Sequence, residues 1–320
     1  MDNDSLGHHR NGGQVSHSVL DGIGDTPLVE IEDGLFVKLE YLEPSGSIKA
    51  RIAKYIIERA EAEGLLRPGM TIVEASSGNT GNAMSMVAAV KGYPMLVLMP
   101  GGMSSARVAI SRSLGAQVLE IGYFHVNEAL ARARALGQEP GYFAPAQFDS
   151  EWNVEENRTW LGPEILAQLP KGRVPDAFVM GVGTGGTLIG VGKAFREVNP
   201  AARLVGVEPD ESCTILCGEI GRHQIEGISD GFVPGIFARH GHLVDEMVPV
   251  SSEESIGEMR RLGVEHGMFV GPSSGAHVAV ARKVRQQLGQ GAIVVTVLCD
   301  EGEKYLTEHY ASGTPSATLQ

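Results

Sequence analysis

Residues Thr71 to Pro100 read TIVEASSGNTGNAMSMVAAVKGYPMLVLMP. A short apolar run, TIVEA, leads into a polar turn, then into NAMSMVAAVKG with helical spacing, then into a second apolar run, MLVLMP. Two strands joined through a helix must lie parallel in one sheet, with the helix packed on its face. The rhythm extends both ways: LFVKLE and IKARIAKYIIERAEAEG precede it, and ARVAISRSLG, QVLEI and VNEALARARALG follow. The stretch Tyr142 to Asn157 breaks the pattern and reads as irregular. A second series then runs through GPEILAQL, AFVMGV, LIGVGKAFREV, RLVGVEP, SIGEMRRLGVEHG and AIVVTVL. The expectation is an α/β protein with two mostly parallel sheets and a cleft between them. No repeat period is visible, which excludes a solenoid.

The chain has 320 residues, enough for one or two interlocked domains. With 42% hydrophobic residues, 20% charged and 42 glycines, it has the composition of a globular protein rich in tight turns. A net charge of -13 with no basic run argues against nucleic acid or anionic membrane as a partner. Cys213, Cys217 and Cys299 are too few for a disulfide framework and are read as reduced structural thiols. With no apolar leader and no stretch of ~20 apolar residues, the expected location is cytoplasmic. The polar ends, residues 1–17 and 311–320, read as disordered tails.

Four segments bear chemistry. Lys49, in PSGSIKAR, falls in the first turn of an amphipathic helix with Ser47 as its expected N-cap. A helix terminus and burial both disfavour a charged ammonium there and leave an amine nucleophile, although a solvated lysine fits the same position. Ser76 to Gly81, SSGNTG, gathers hydroxyls, an amide and backbone N–H groups at a helix start, which suits a carboxylate or a plain capped turn. Gly181 to Thr187, GVGTGGT, is a glycine-rich cradle for phosphate between a strand and a helix. Its Gly181, Gly183 and Gly186 also satisfy G-x-G-x-x-G, and Glu208 ends the next strand, so a nicotinamide dinucleotide is an alternative. Gly271 to Ala276, GPSSGA, directs two serine hydroxyls toward the same end of a sheet or caps a helix. The spacing of His223, His240 and His242 matches no metal motif.

Taken together and in order, GIGDTPLVEI, VKLEYLEPSGSIKAR, TIVEASSGNTG, MPGGMSSARVAISRSLGAQVL, MGVGTGGTLIGVGKAF, VGVEP, VGPSSGA and DEGEKYL resemble the cysteine synthase and cystathionine β-synthase family. These are fold-type II pyridoxal 5'-phosphate (PLP) enzymes. The likeness runs from Gly22 to about Leu306. It implies two interlocked three-layer αβα domains with the cofactor in the cleft. A larger unit would comprise residues 18–38 and 153–310, and a smaller mobile unit residues 39–152. By the same resemblance Lys49 is the Schiff-base lysine, Asn79 faces the pyridoxal 3'-oxygen, and Gly183, Thr184, Gly185, Gly186 and Thr187 hold the phosphate. Ser273 faces the ring nitrogen. Ser76, Ser77, Thr80 and Gln147 bind the substrate α-carboxylate.

The implied reaction is β-replacement on an O-activated L-serine through an α-aminoacrylate, with sulfide or another small nucleophile. A neutral serine hydroxyl at the ring nitrogen favours expulsion of a β-leaving group over a long-lived carbanion. Elimination, as in a serine dehydratase or cysteine desulfhydrase, is the alternative within the fold; a dehydrogenase or a non-catalytic binding protein lies outside it. The resemblance also carries a homodimer. The chain departs from the family's usual GSVKDR, PTSGNTG, MPETMSLERR and QFxNPANPxxH, most of all over Asp149 to Asn157. Arg222 stands where the family often has proline, a cation either for an anionic reactant or for solvent.

Overall fold

The computed structural model describes residues 15–102, 105–123 and 125–310. Apart from residues 15–17, the expected tails lie outside the described residues. Ten strands form two sheets. The larger takes β1 (Leu28–Glu32), β2 (Leu35–Leu39), β7 (Ala177–Gly181), β8 (Arg203–Pro209), β9 (Glu246–Val250) and β10 (Val294–Leu298), in the order β1-β2-β10-β7-β8-β9. The smaller takes β3 (Thr71–Ala75), β4 (Met95–Gly101), β5 (Gln117–Tyr123) and β6 (Tyr142–Phe143), in the order β5-β4-β3-β6. Among the described strands only β1 and β2 pair antiparallel, as a hairpin, and the other strand pairings are parallel. Strands β2 and β7 are buried at every position, as a parallel sheet covered on both faces requires.

Helices cover the sheets. On the smaller lie α1 (Lys49–Ala62), α2 (Asn79–Lys91), α3 (Ser105–Ser113) and α4 (Asn127–Leu136). Helix α1 buries Ile52, Ala53, Ile56, Ile57 and Ala60, the i, i+3, i+4 stripe of an amphipathic helix. A helical crossing follows: α5 (Glu151–Glu156), a π-turn over Asn157–Leu161, and α6 (Gly162–Gln168). The irregular stretch expected up to Asn157 is therefore helical from Glu151 onward. Helices α7 (Gly186–Val198), α8 (Gly235–His240), α9 (Ser252–His266) and α10 (Pro272–Leu288) accompany the larger sheet.

Two readings need correction. Ile48, not Ser47, occupies the N-cap of α1; Ser47 sits one residue outside, buried, with its backbone oxygen accepting from Ala50. Cys213 and Cys217 form a disulfide, because the chain between them is a turn that brings their Cα atoms to 5.2 Å, within bridging reach. Cys299 is free and buried.

A buried ionic cluster joins the two series of elements. Arg51 of α1 pairs with Glu40, Glu43 and Glu164, and Lys38 of β2 pairs with Glu164 and donates to Gln168. Burial pushes the Glu164 carboxyl up, but the bonds and charges of Arg51 and Lys38 outweigh it and hold the group at about 2. Burial and the neighbouring Glu40 push Glu43 up to about 9, against the charge of Arg51 and the N–H of Gly24. Among the described residues no helix is long and apolar enough to cross a membrane.

Candidate active site

The C-terminal ends of β3, β7 and β10 face one cleft, where the turns after parallel strands collect helix N-termini. Lys49, Ser76, Ser77, Asn79, Thr80, Gln147, Gly183 and Thr184 line it, and its continuation adds Gly185, Thr187 and Ser273. Gly186 starts α7 directly behind. All twelve residues singled out from sequence thus come from five separate segments to one place. Lys49 borders both parts of the cleft.

On one side lies the turn between β3 and α2. Ser76 Oγ accepts the N–H groups of Gly78 (3.1 Å) and Gly81 (2.9 Å), so this hydroxyl shapes the turn from within. Thr80 Oγ1 donates to Gln147 Oε1 (2.7 Å), and Gln147 Nε2 donates to the Ala75 carbonyl (3.0 Å). Asn153 then donates both to the Gln147 carbonyl and to Thr184 Oγ1 (2.9 Å each), tying this turn to the glycine-rich loop. Beneath it Glu74 is pushed up to about 8 by burial, against the N–H groups of Gln147 and Ala75 that it accepts.

On the other side the loop after β7 turns at Gly185, whose φ of +84° favours glycine. A Cβ on Gly183 would lie 2.5 Å from the Gly227 carbonyl oxygen, and one on Gly186 would lie 2.0 Å from Asn153 Oδ1. The loop therefore packs with no room for side chains. The first turn of α7 offers N–H groups without intrahelical acceptors, beside the hydroxyls of Thr184 and Thr187.

At the far end, Ser273 stands in the first turn of α10 beside Cys299, whose thiol burial pushes up to about 12. Under it His277 is fully buried. Its Nε2 accepts the Gly181 N–H (2.8 Å), so its Nδ1 carries the proton donated to the Val297 carbonyl (2.9 Å). Burial holds this imidazole down at about 4, against the bond to Val297. Asn79 donates to Asp300 Oδ2 (2.7 Å), and the Tyr305 hydroxyl donates to the same oxygen. Asp300 Oδ1 is buried with no partner among the described residues.

Some outcomes differ from expectation. Glu208, the acid of the dinucleotide alternative, is buried and accepts the N–H groups of Ile215 and Leu216 (2.9 Å each), so it has no surface for a ribose. Arg222 is exposed. His223, whose spacing suggested no metal site, lines an outer chamber of about 230 Å³ together with Ser77, Arg107, His125, Glu226 and Asp230. Sequence reasoning missed Asn153, Asp230 and Asp300. For Asn153 a signal existed: Asn153 and Asn157 share one helix face at i, i+4 and both are buried.

Comparison with known proteins extends these observations. Residues 19–300 match the family described as pyridoxal-phosphate dependent enzyme. The chain is 41% identical over 293 residues to a cysteine synthase of Staphylococcus aureus, covering 89% of this chain and 94% of that one. It is 38% identical over 304 residues to an O-ureido-L-serine synthase of Streptomyces lavendulae, covering 93% of each. The crystal structure of a cysteine synthase from Entamoeba histolytica superposes with a TM-score of 0.89 at 30% identity, over 98% of this chain and 96% of that one.

Proposed function

Because the chain belongs to the pyridoxal-phosphate-dependent enzyme family, we propose that it replaces the β-substituent of an O-activated L-serine, O-acetyl- or O-phosphoserine, with a small nucleophile. The observation that carries this reading is the position of Lys49: one side chain borders both a phosphate cradle and a carboxylate nest. The S. aureus and S. lavendulae relatives, by their names, both make β-substituted alanines or serine derivatives.

The residues fit a phosphorylated aldehyde. The glycine-rich loop is shaped for an anion at a helix N-terminus, a place where a Cβ on Gly183 or Gly186 could not stand. Lys49 supplies the amine that carries the aldehyde, Thr184 and Thr187 the hydroxyls for the phosphate with the amides of Gly183, Gly185 and Gly186. Ser273 faces the ring nitrogen and Asn79 the phenolic oxygen. When bound, the cofactor supplies the covalent hold on the substrate amine and the electron sink that lets a β-leaving group depart.

The chain's own residues do the rest. The α-carboxylate is taken by Ser76, Ser77, Thr80 and the N-terminal amides of α2, with Gln147 holding Thr80 in place. Lys49 Nζ, once displaced by the substrate amine, accepts the Cα proton. The bonds from Asn153 to the Gln147 carbonyl and to Thr184 couple the two sides, so closing one loop steadies the other. In this reading residues 39–152 move as a smaller unit over residues 18–38 and 153–310. The proposal includes a homodimer, on the family resemblance alone, and a cytoplasmic location.

Borohydride reduction followed by peptide mass analysis tests the attachment. The cofactor's mass is expected on the Lys49 peptide, and Lys49→Ala is expected to lose both the label and the visible absorption while keeping its far-ultraviolet circular dichroism. Label on another lysine, or no label after reconstitution, would sink the assignment.

A further inference from the structure

The outer chamber and the inner cleft share Ser77, Arg107, Glu226, Gly227 and Asp230, so a reactant coming from solvent passes these residues on its way to Lys49. Two carboxylates stand in the passage. Glu226 is engaged, with His309 at 3.4 Å and Arg107 at 3.9 Å. Asp230 has no hydrogen-bond or ion-pair partner among the described residues, although its neighbours hold it firmly. It follows Ser229, one of three described non-glycine residues with positive φ (54°), between Gly227 and Gly231 at 93° and 82°. Ser229 is fixed by its N–H to the Val182 carbonyl (3.0 Å), its hydroxyl to the Ser212 carbonyl (2.9 Å) and its own carbonyl to His223 (3.1 Å). A strained turn held from three sides, presenting one unpartnered carboxylate to the cleft, is the form backbone strain takes at working sites.

We propose that Asp230 is the proton acceptor for the incoming nucleophile, and that this nucleophile is a neutral molecule of several heavy atoms arriving with its O–H or S–H proton in place. The inference rests on the β-replacement reading above. As the X–Cβ bond forms, the Cα–Cβ double bond left by the departed substituent opens and Cα takes back the proton held on Lys49 Nζ, while the X–H bond breaks and its proton passes to Asp230 Oδ, then to solvent through the outer chamber. Hydrosulfide fits this passage poorly: it needs no base, and a single heavy atom needs no chamber of about 230 Å³. Burial raises the Asp230 carboxyl to about 6 against the opposing charge of Lys49, which makes it a stronger base that is still ionised at neutral pH. The other titratable groups facing the passage are Lys49, Arg107, His125, His223, Glu226, Tyr305 and Glu308.

The test compares Asp230→Asn with the wild-type holoenzyme in two half-reactions. Leaving-group release from O-acetyl-L-serine reads the first. Product formation with hydrosulfide, 2-mercaptoethanol or acetohydroxamic acid reads the second. Release and hydrosulfide turnover are expected within a few fold of wild type, whereas kcat/KM for the two neutral nucleophiles falls by roughly 10²-fold or more. The wild-type rate with neutral nucleophiles should rise with pH through about 6, and that limb should vanish in the variant. Asp230→Glu should recover part of the loss, which a merely structural residue would not do. Equal losses for hydrosulfide and neutral nucleophiles, or no loss for either, overturn the assignment of Asp230. Failure of the wild type to release acetate or phosphate from any serine ester overturns the β-replacement reading itself.

Discussion

His277 is buried with both ring nitrogens committed, one accepting from Gly181 and one donating to Val297, and a proton added at Nε2 would break the first bond. Its folded value of about 4 lies below the ordinary ~6.5 of an unfolded histidine. Above pH ~6.5 both states are neutral and nothing is lost. As pH falls from ~6.5 toward 4, only the unfolded chain takes the proton, so stability drops by up to roughly 3 kcal/mol. Urea midpoints measured across this range should show the slope, and His277→Asn should remove it while costing ~1–3 kcal/mol at every pH for the Gly181 N–H left without an acceptor. An identical slope in the variant would contradict the assignment. At this scale the sequence was only partly legible. The glycines of the phosphate loop stand out because the backbone itself imposes them, whereas Lys49, where a solvated lysine fits equally, stands out only through the family resemblance. Asp230, Asn153 and Asp300 do not, since an isolated Asp or Asn in a loop reads as solvated until distant segments enclose it.

Elements were easier to foresee than their joints. The long apolar runs and helical stripes of β3, α2, β4, β7 and α7 carry strong periodic signals, and each forms where it is expected. Residues Glu151 to Asn157 read as irregular because their helix is short, polar and runs into a π-turn, yet packing against α7 and α1 makes them helical. That packing depends on small residues. Gly190 of α7 faces the Asn157 side chain and the Val154 carbonyl, and Gly192 faces Leu204 of β8, so close that an added Cβ would lie 1.6 Å from Leu204 Cδ2. Gly192→Ala should therefore overpack the helix–sheet contact and destabilise by ~1–3 kcal/mol, although alanine is the better helix former. A denaturation midpoint equal to or above wild type would show that the contact has slack.

At the scale of the whole molecule, the cleft exists because β3 belongs to one sheet and β7 and β10 to the other, with α1 and α5 between them. Arg51, two residues beyond Lys49, is bound to Glu40 beside β2 and to Glu164 in α6, and so ties the lysine's helix to the larger sheet's elements. The family resemblance made this arrangement foreseeable in outline, while the altered Asp149 to Asn157 stretch and the charged outer chamber lie beyond what motifs could tell about the nucleophile. On the proposed reading this cleft replaces a β-substituent and does not merely expel one. Its most direct test is mass spectrometry of the products formed by the PLP-loaded protein from O-acetyl- or O-phospho-L-serine, with and without an added nucleophile. The expected product is an alanine whose β-substituent follows whichever nucleophile is added. Pyruvate and ammonia in the same amounts whatever nucleophile is present would contradict it.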